Sequence, residues 1–327
     1  MTKPTAAPES GGFQELVIVS SGLARSRAAF VEVGGYVQVC EGPTDPAIGS
    51  LWNLPKSAAA SEVVLRNPAS ARGHVRIVEI DGVPARPIRS NGASWDTGGI
   101  FDLYMFVGDV DAVYESLRQR GWQAYNDVQQ YSVGDLTLRE SIVRDMDGTV
   151  FCLLQHLNAP APNPELVAAR FGAPFNVALP VAWEQFDDNV RFFREVLGWN
   201  QVVNGELVSK PPGDSPSGLP RNLAMNNRRK FAGFVREGTD RTGSIQVLAY
   251  EGVVGRDFSA CAQPPNQGIA AARFHVADLD ELTGGFAARG GRLAGGPVEL
   301  TLAPYGRVRI AAVTSPSGAR LEFFSPV

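Results

Sequence analysis

Only three histidines occur in this chain of 327 residues: His74, His156 and His275. Few side chains can therefore exchange protons near neutral pH as ordinary imidazoles. His275 lies on a strand that carries a second functional side chain on the same face. In an extended strand alternate residues share a face, so His275 sits on the face of Arg273, and near the end of the chain Glu322 sits on the face of Phe324. A histidine beside a carboxylate serves as general base or acid. An arginine binds a carboxylate or stabilises an oxyanion. On another strand Asp102, Tyr104 and Phe106 share a face, an acid followed by two aromatic rings that either line a pocket or pack as core. Tyr305, in the turn Ala303-Pro304-Tyr305-Gly306, either offers a hydroxyl to a ligand or sits on a plain surface turn.

The remaining reactive types are sparse. Cys40, Cys152 and Cys261 are scattered, with no Cys-x-x-Cys, which argues against a disulfide framework or a thiolate metal site and fits a reducing cytoplasm. Cys152 lies in an apolar strand and reads as an inert core thiol. His74 and His156, at strand ends, read as surface residues. Trp95 and Trp183 read as caps on the core edge, with the mouth of a pocket as the alternative.

Composition bounds the rest. An apolar fraction of 44%, a charged fraction of 20% and a net charge of −4 describe a soluble globular protein of about two domains. There is no basic stripe for a nucleic acid and no apolar run of the ~18–20 residues that a membrane span needs. Residues 1–12 are small and polar, lack the pattern of a secretory signal, and read as a disordered tail.

The elements that must position these side chains come as a diverged repeat. Gly99–Asp111 aligns without a gap on Gly268–Asp280, an offset of 268 − 99 = 169 residues, and Arg120-Gly121 falls on Arg289-Gly290. Each segment reads as a strand, then a helix capped by Asp109 or Asp278 and stopped by Gly121 or Gly290. The tight turn Asp145-Met146-Asp147-Gly148 matches Ser315-Pro316-Ser317-Gly318. The starts match more loosely: a strand at 16–20 with a helix running to Gly34-Gly35, and a strand at 177–181 with a helix through Phe186, Val190, Phe193 and Leu197 to Gly198. Each half thus holds two βαβββ motifs. The expected organisation is a tail at 1–12, one module at 13–157, a linker at 158–174 with a helical turn at 165–170, and a second module at 175–327.

This pattern resembles the vicinal oxygen chelate superfamily, which includes glyoxalases, bleomycin-resistance proteins and extradiol dioxygenases. The resemblance spans roughly Glu15 to Pro326 and is carried by Phe-Phe-Arg-Glu-Val-Leu-Gly at 192–198, Val-Gly-Asp-Val-Asp-Ala at 107–112, Val-Ala-Asp-Leu-Asp at 276–280 and Asp-Met-Asp-Gly at 145–148. It implies an α+β fold of four βαβββ motifs, forming two cup-shaped modules of mixed sheet, each half curling into its own cup. Metal ligands in such cups lie on the first strands and the last strand. The first half then offers Glu15, Asp102 and Cys152; the second offers Asn176 or Ala178, Ala271 and Glu322.

The usual first-strand histidines are absent, which disfavours a 2-His-1-carboxylate iron site and degrades the site for a metal-polarised enediolate. The resulting expectation is a glyoxalase-like enzyme acting by proton transfer on a small oxygenated molecule, as a lyase, isomerase or hydratase. Its catalytic residues would be His275, Glu322 and Arg273. Glu15, Asp102, Tyr104, Phe106, Asn176, Tyr305 and Phe324 would contact the substrate. No cofactor is expected, and the state would be monomer or homodimer, with no nucleic-acid or membrane partner. Two alternatives stand beside it: a binding or resistance protein without catalysis, and a divalent-metal enzyme that uses the carboxylates Glu15, Asp102 or Glu322.

Overall fold

The structure, a computed structural model, describes residues 11–158, 164–208, 216–224 and 227–327. The first motif contains β1 (Glu15–Val19), β2 (Val37–Pro43), β3 (Ala59–Arg66) and β4 (His74–Asp81). The second contains β5 (Asp102–Phe106), β6 (Gln123–Ala124), β7 (Gln129–Val133), β8 (Leu136–Arg144) and β9 (Val150–His156). The third contains β10 (Asn176–Val181), β11 (Asn200–Val208), β12 (Arg228–Val235) and β13 (Ser244–Tyr250). The fourth contains β14 (Gly268–His275), β15 (Leu293–Leu302), β16 (Gly306–Thr314) and β17 (Arg320–Pro326).

In every motif the first strand pairs parallel with the last, β1 with β4, β5 with β9, β10 with β13 and β14 with β17. A helix supplies part of the crossover that such pairing needs. Motifs then join through antiparallel contacts of their first strands. β1 lies against β14, and β10 against β5. The two curled sheets therefore run β15-β16-β17-β14-β1-β4-β3-β2 and β11-β12-β13-β10-β5-β9-β8-β6, with β7 on β8.

The sheets do not follow the sequence halves. Motif one shares a sheet with motif four, and motif two with motif three. This corrects the expectation that each half curls into a cup of its own. The physical reason lies in the linker. The Phe171 amide bonds to the Gly34 carbonyl, Gly172 to Phe106, and Phe175 to the Tyr104 carbonyl at 3.1 Å, so the chain leaving β9 is delivered directly beside β5. The linker's helical turn is present at Pro164–Ala168. The crossovers at 82–101 and 251–267 pass between sheets in opposite senses and touch at the bridges Pro87–Gln267 and Thr97–Asp257.

Strand alternation separates two environments. Leu16, Ile18, Val75, Ile77, Leu103, Met105, Val177, Leu179, Phe274 and Phe323 face one shared core with the helices. The other faces form the two cups, each with its own apolar cluster. The helix signals read from sequence operate as expected. Asp109 accepts from the Ala112 amide at 3.0 Å, Asp278 from the Asp280 amide at 2.8 Å, and Gly121 and Gly290 stop their helices at φ of +84° and +83°. Helices Leu23–Ala28 and Phe186–Arg191 both widen into a π-helical turn, at Ala29–Val33 and Phe192–Val196, so the repeat extends to local backbone geometry. No helix among the described residues is long and apolar enough to cross a membrane.

Residues 1–10 of the expected tail lie outside the described residues. Gly12 does not belong to a tail. It is buried, and a Cβ there would stand 2.0 Å from the Thr242 carbonyl oxygen. The next amide, of Phe13, bonds to the Gly243 carbonyl.

The matched turns are chemically unlike. Both turn glycines have φ near +80°, +82° at Gly148 and +81° at Gly318. Only the first turn is acidic. Asp147 accepts from the Ser20 and Ser21 hydroxyls, the Ser21 amide and Arg25, which ties the turn to the start of the first helix. Burial, reinforced by the Asp147 charge, pushes the Asp145 carboxyl up to about 7. An acid raised on folding binds its proton more tightly in the native state. It contributes stability that is complete below its ordinary value near 4 and is lost as pH rises through 7. Urea unfolding midpoints are expected to fall between pH 4 and 7. Asp145→Asn, which keeps an oxygen for the Asp147 and Thr149 amides, should flatten that decline.

Candidate functional site

The cup of the first sheet is filled. Arg76 grips Glu15 with two bonds, Nε to Oε1 at 2.8 Å and Nη2 to Oε2 at 3.0 Å, and also pairs with Glu62. Arg273 bridges the two carboxylates, donating to Glu15 at 2.8 Å and to Glu322 at 2.6 Å. Glu322 also accepts from Arg320 at 2.7 Å and from the Trp52 indole at 2.8 Å. Three carboxylates, Glu15, Glu62 and Glu322, meet three guanidiniums, Arg76, Arg273 and Arg320, so the formal charges sum to zero.

Burial opposes the charge on Glu15 and Glu322, but the arginines outweigh it. Glu15 is held below its ordinary range, and Glu322, beside Arg273 and Arg320, falls to about 2. Over this network lie Trp52, Leu51 and Ile48, packed against Leu300, Leu302, Val308, Ile310 and Phe324. The backbone of β15 runs so close to this plug that a Cβ on Gly295 would stand 2.3 Å from the Leu51 carbonyl oxygen.

Arg273 and Glu322 thus meet as the spacing suggested, but His275 does not join them. The strand register sets Arg273 beside Glu322 and His275 beside Phe324, with the last two rings 5.5 Å apart. Burial, aided by the Arg236 charge, lowers the His275 pKa, and no carboxylate acts to raise it. The expected His275–Glu322 dyad is therefore corrected: Arg320, Arg273 and Trp52 occupy the carboxylate. His74 is buried rather than at the surface, in hydrogen-bond range of the Tyr305 hydroxyl at 3.4 Å. Tyr305 also packs on Phe324 at 5.0 Å, so both belong to the plugged cup.

The cup of the second sheet has a different interior. Asp102 is buried, and its Oδ1 has no hydrogen-bond partner. Burial pushes its carboxyl well above the ordinary range; the Glu140 charge adds to this and Arg89 opposes it. Glu140 on β8 is buried as well and raised by burial. It accepts from the Tyr131 hydroxyl at 2.7 Å and from the Ser217 amide at 2.7 Å. Tyr104, Cys152, Arg229 and Tyr250 complete the charged and polar surroundings.

The segment 216–224 folds over this cup. Ser217 stands at φ +67°, a left-handed conformation unusual for serine, and Leu219 buries into a cluster with Tyr250, Phe231 and Trp95. Trp95 thus packs at the cup rim, whereas Trp183 lies beneath Lys230 and Arg228.

Glu15 and Asp102, which the sequence reading placed in one cup, are in different sheets. Asn176 lies in the second cup, but its amide is engaged by Ser244 at 2.8 Å and Gln246 at 3.1 Å. Phe106 is stacked on Phe175 at 4.4 Å, and His156, expected at the surface, is half-buried against Phe106 at 4.5 Å. Glu140, Tyr131 and Arg89 escaped the sequence reading. Only the alternation of Leu138, Glu140 and Ile142, a carboxylate in an apolar row, could have marked the first of them.

No family model matches the chain, and no curated protein matches it. Solved structures do. Maize (Zea mays) glyoxalase I superposes with a TM-score of 0.57 at 14% identity, covering 97% of this chain and 92% of that one. A candidate dioxygenase of Bacillus subtilis superposes with a TM-score of 0.57 at 11% identity, covering 98% and 86%. This is the vicinal oxygen chelate fold.

The metal that the vicinal oxygen chelate family implies can be tested against the donors present. In the first cup the carboxylates Glu15 and Glu322 are bridged by the Arg273 guanidinium, and Ala271 supplies no ligand atom. A divalent ion would have to displace a cation that already neutralises both. In the second cup Asp102 is the one carboxylate among Asp102, Cys152 and Asn176, and among the described residues no group of three His, Cys, Asp or Glu side chains converges. Among the described residues neither cup fits a strong divalent site.

Proposed function

We propose that this chain is a glyoxalase-like enzyme that transfers protons to and from a small oxygenated organic molecule in the second cup, as a lyase, isomerase or hydratase. The observation that carries this reading is the buried Asp102 carboxyl with an unpartnered oxygen, set near a second buried acid. Two carboxyls in one low-dielectric site separate in pKa, and the pair becomes an acid and a base. Glu140 receives two hydrogen bonds, from Tyr131 and Ser217, which favour its ionised form. Asp102 receives none at Oδ1, and the neighbouring negative charge keeps its proton in place. Asp102 is thus the proton donor to a substrate oxygen, Glu140 the base of the pair, and Tyr104 a hydroxyl at the same surface. Segment 216–224 excludes water above them.

The likeness to glyoxalase I supports the fold as a setting for such chemistry and supplies no residue roles. A filled first cup favours assigning structure, not turnover, to Arg273 and Glu322. The test is to incubate the protein with a panel of small oxo and hydroxy compounds in deuterated water and follow each by NMR. The expected outcome is deuterium incorporation or a new product with at least one of them. Saturable binding with no chemical change across the panel would instead establish the binding-protein alternative.

A further inference from the structure

Asp102 and Glu140 are 1% and 4% exposed, so both acids are closed to solvent while segment 216–224 is seated over the cup. Its hold on the cup is short. Ser217 donates its amide to Glu140 Oε1 at 2.7 Å. Gly218 presses on the rim, where a Cβ would stand 3.1 Å from the Cβ atoms of Ser94 and Tyr125. Leu219 anchors beside Tyr250, Phe231 and Trp95, and the short helix Arg221–Ala224 buries Ala224 in the same cluster.

The seated form carries two costs. Ser217 and Gly218 stand at φ +67° and +66°; the second suits glycine, but the first is strained for serine. Next to Gly218 the Ser94 hydroxyl is buried without a hydrogen-bond partner, and so is Asp102 Oδ1 in the cup. Each such group forfeits the bonds that water would give it. Lifting the segment relieves the strain and wets both atoms. Against these costs stand the apolar burial of Leu219 and the bond to Glu140. Contributions of opposite sign and of one order make a segment that opens locally while the sheets stay folded.

Opening changes one acid directly. Around Glu140 stand Asp102 and Tyr104 on β5, Tyr131 on β7, Cys152 on β9, Arg229 on β12 and Tyr250 on β13. Glu140 Oε2 is held by the Tyr131 hydroxyl, which stays with the sheet, and Oε1 by the Ser217 amide, which leaves with the segment. A bond donated to a carboxylate favours its ionised form. Glu140 therefore holds its charge more firmly when the segment is seated, and that charge keeps the proton on Asp102.

Resting on the reading of Asp102 and Glu140 as the working pair, we propose that segment 216–224 is a strap that opens to admit substrate and, on closing, arms the pair through the Ser217 amide. Closure sets Glu140 as base and Asp102 as acid, so proton transfer is confined to the closed cup. Ser217 is a positioning residue that acts through Glu140.

Side-chain carboxyl titration by carbon NMR and amide hydrogen exchange, both on the full-length protein, test this without a substrate. Ser217→Pro removes the N–H and cannot adopt a positive φ, whereas Ser217→Gly keeps the N–H and adopts it freely. Ser217→Pro is expected to raise the proton affinity of Glu140 about tenfold, a shift of about one pH unit, and to lower that of Asp102. Ser217→Gly should leave both titrations in place. Leu219→Ala, which loosens the anchor, should speed exchange of the Ser217 amide about tenfold or more, with the β5 and β9 amides unchanged. A Glu140 titration unmoved by Ser217→Pro would overturn the strap's role and leave the acid pair standing. So would a Ser217 amide that exchanges no faster than those of β5 and β9 in Leu219→Ala, because the segment would then open only with the whole fold. If Asp102 ionises before Glu140 in the unaltered protein, the pair and the strap both fall. Should Ser217→Pro fail to fold, Leu219→Ala takes over the titration with the same direction expected for Glu140, and no movement there would overturn the proposal.

Discussion

Arg273→Met is expected to destabilise the protein by about 3–5 kcal/mol, the usual cost of removing one partner from a buried ion pair. Among the described residues Arg273 is the one cation that contacts both Glu15 and Glu322. Without it, Arg76 remains on Glu15 and Arg320 on Glu322, but three negative charges face two positive ones, with only Glu62 partly exposed. The penalty is the desolvated, under-neutralised carboxylate and not the loss of a favourable bond, since replacing a whole buried network by apolar groups is often close to neutral. A triple change that also makes Glu15→Leu and Glu322→Leu should therefore recover part of the loss. Urea unfolding checks both. The exposed pair Arg309–Asp280 is the control, because solvent screens it and its removal should change little. Glu322, held at about 2, adds a pH signature: its contribution is present above its ordinary value near 4.5 and is lost as pH falls through 2. If Arg273→Met unfolds at the same urea concentration as the control, the first cup is not a charge-balanced structural plug.

The second large effect is on chemistry. Asp102→Asn should lower turnover by about 10²–10⁴-fold, the usual contribution of a positioned general acid or base. The shape is nearly unchanged, so the fold should persist and thermal stability should hold or rise, as a buried ionisable group has been removed. The pH profile carries the sign. A carboxyl raised by burial and by Glu140 is active as an acid while protonated, so kcat should fall as pH rises through its shifted pKa. In Asp102→Asn that limb should vanish from the residual activity. A loss in KM alone, with kcat intact, would make Asp102 a binding group only.

Much of the fold was legible. The caps Asp109 and Asp278, the stops Gly121 and Gly290, and the turn glycines Gly148 and Gly318 are local devices, readable because capping and positive φ depend on neighbours in sequence. Alternation also predicted correctly that Arg273 and Glu322 share a cup. Sheet partnership was not legible, because nothing in β10 states whether it lies beside β5 or β13 alone; the backbone bonds of the linker at Gly172 and Phe175 settle it. That choice regroups the candidate residues, sending Glu15 to one cup and Asp102 to the other. The plug was hidden for a similar reason: Trp52 and Arg76 lie 270 and 246 positions from Glu322, and a buried arginine looks in sequence like a surface one. Arg89 sits in an irregular crossover, where no periodicity marks burial.

On this reading the second cup does the chemistry while the first one holds the fold. That division is tested most directly by measuring one rate, NMR-detected turnover or proton exchange of the same converted compound, in Asp102→Asn and His275→Gln side by side. A loss of at least about 100-fold is expected in Asp102→Asn, in keeping with a positioned acid, and a near-normal rate in His275→Gln. A silent His275→Gln beside an active Asp102→Asn would contradict that division and return the chemistry to the first cup.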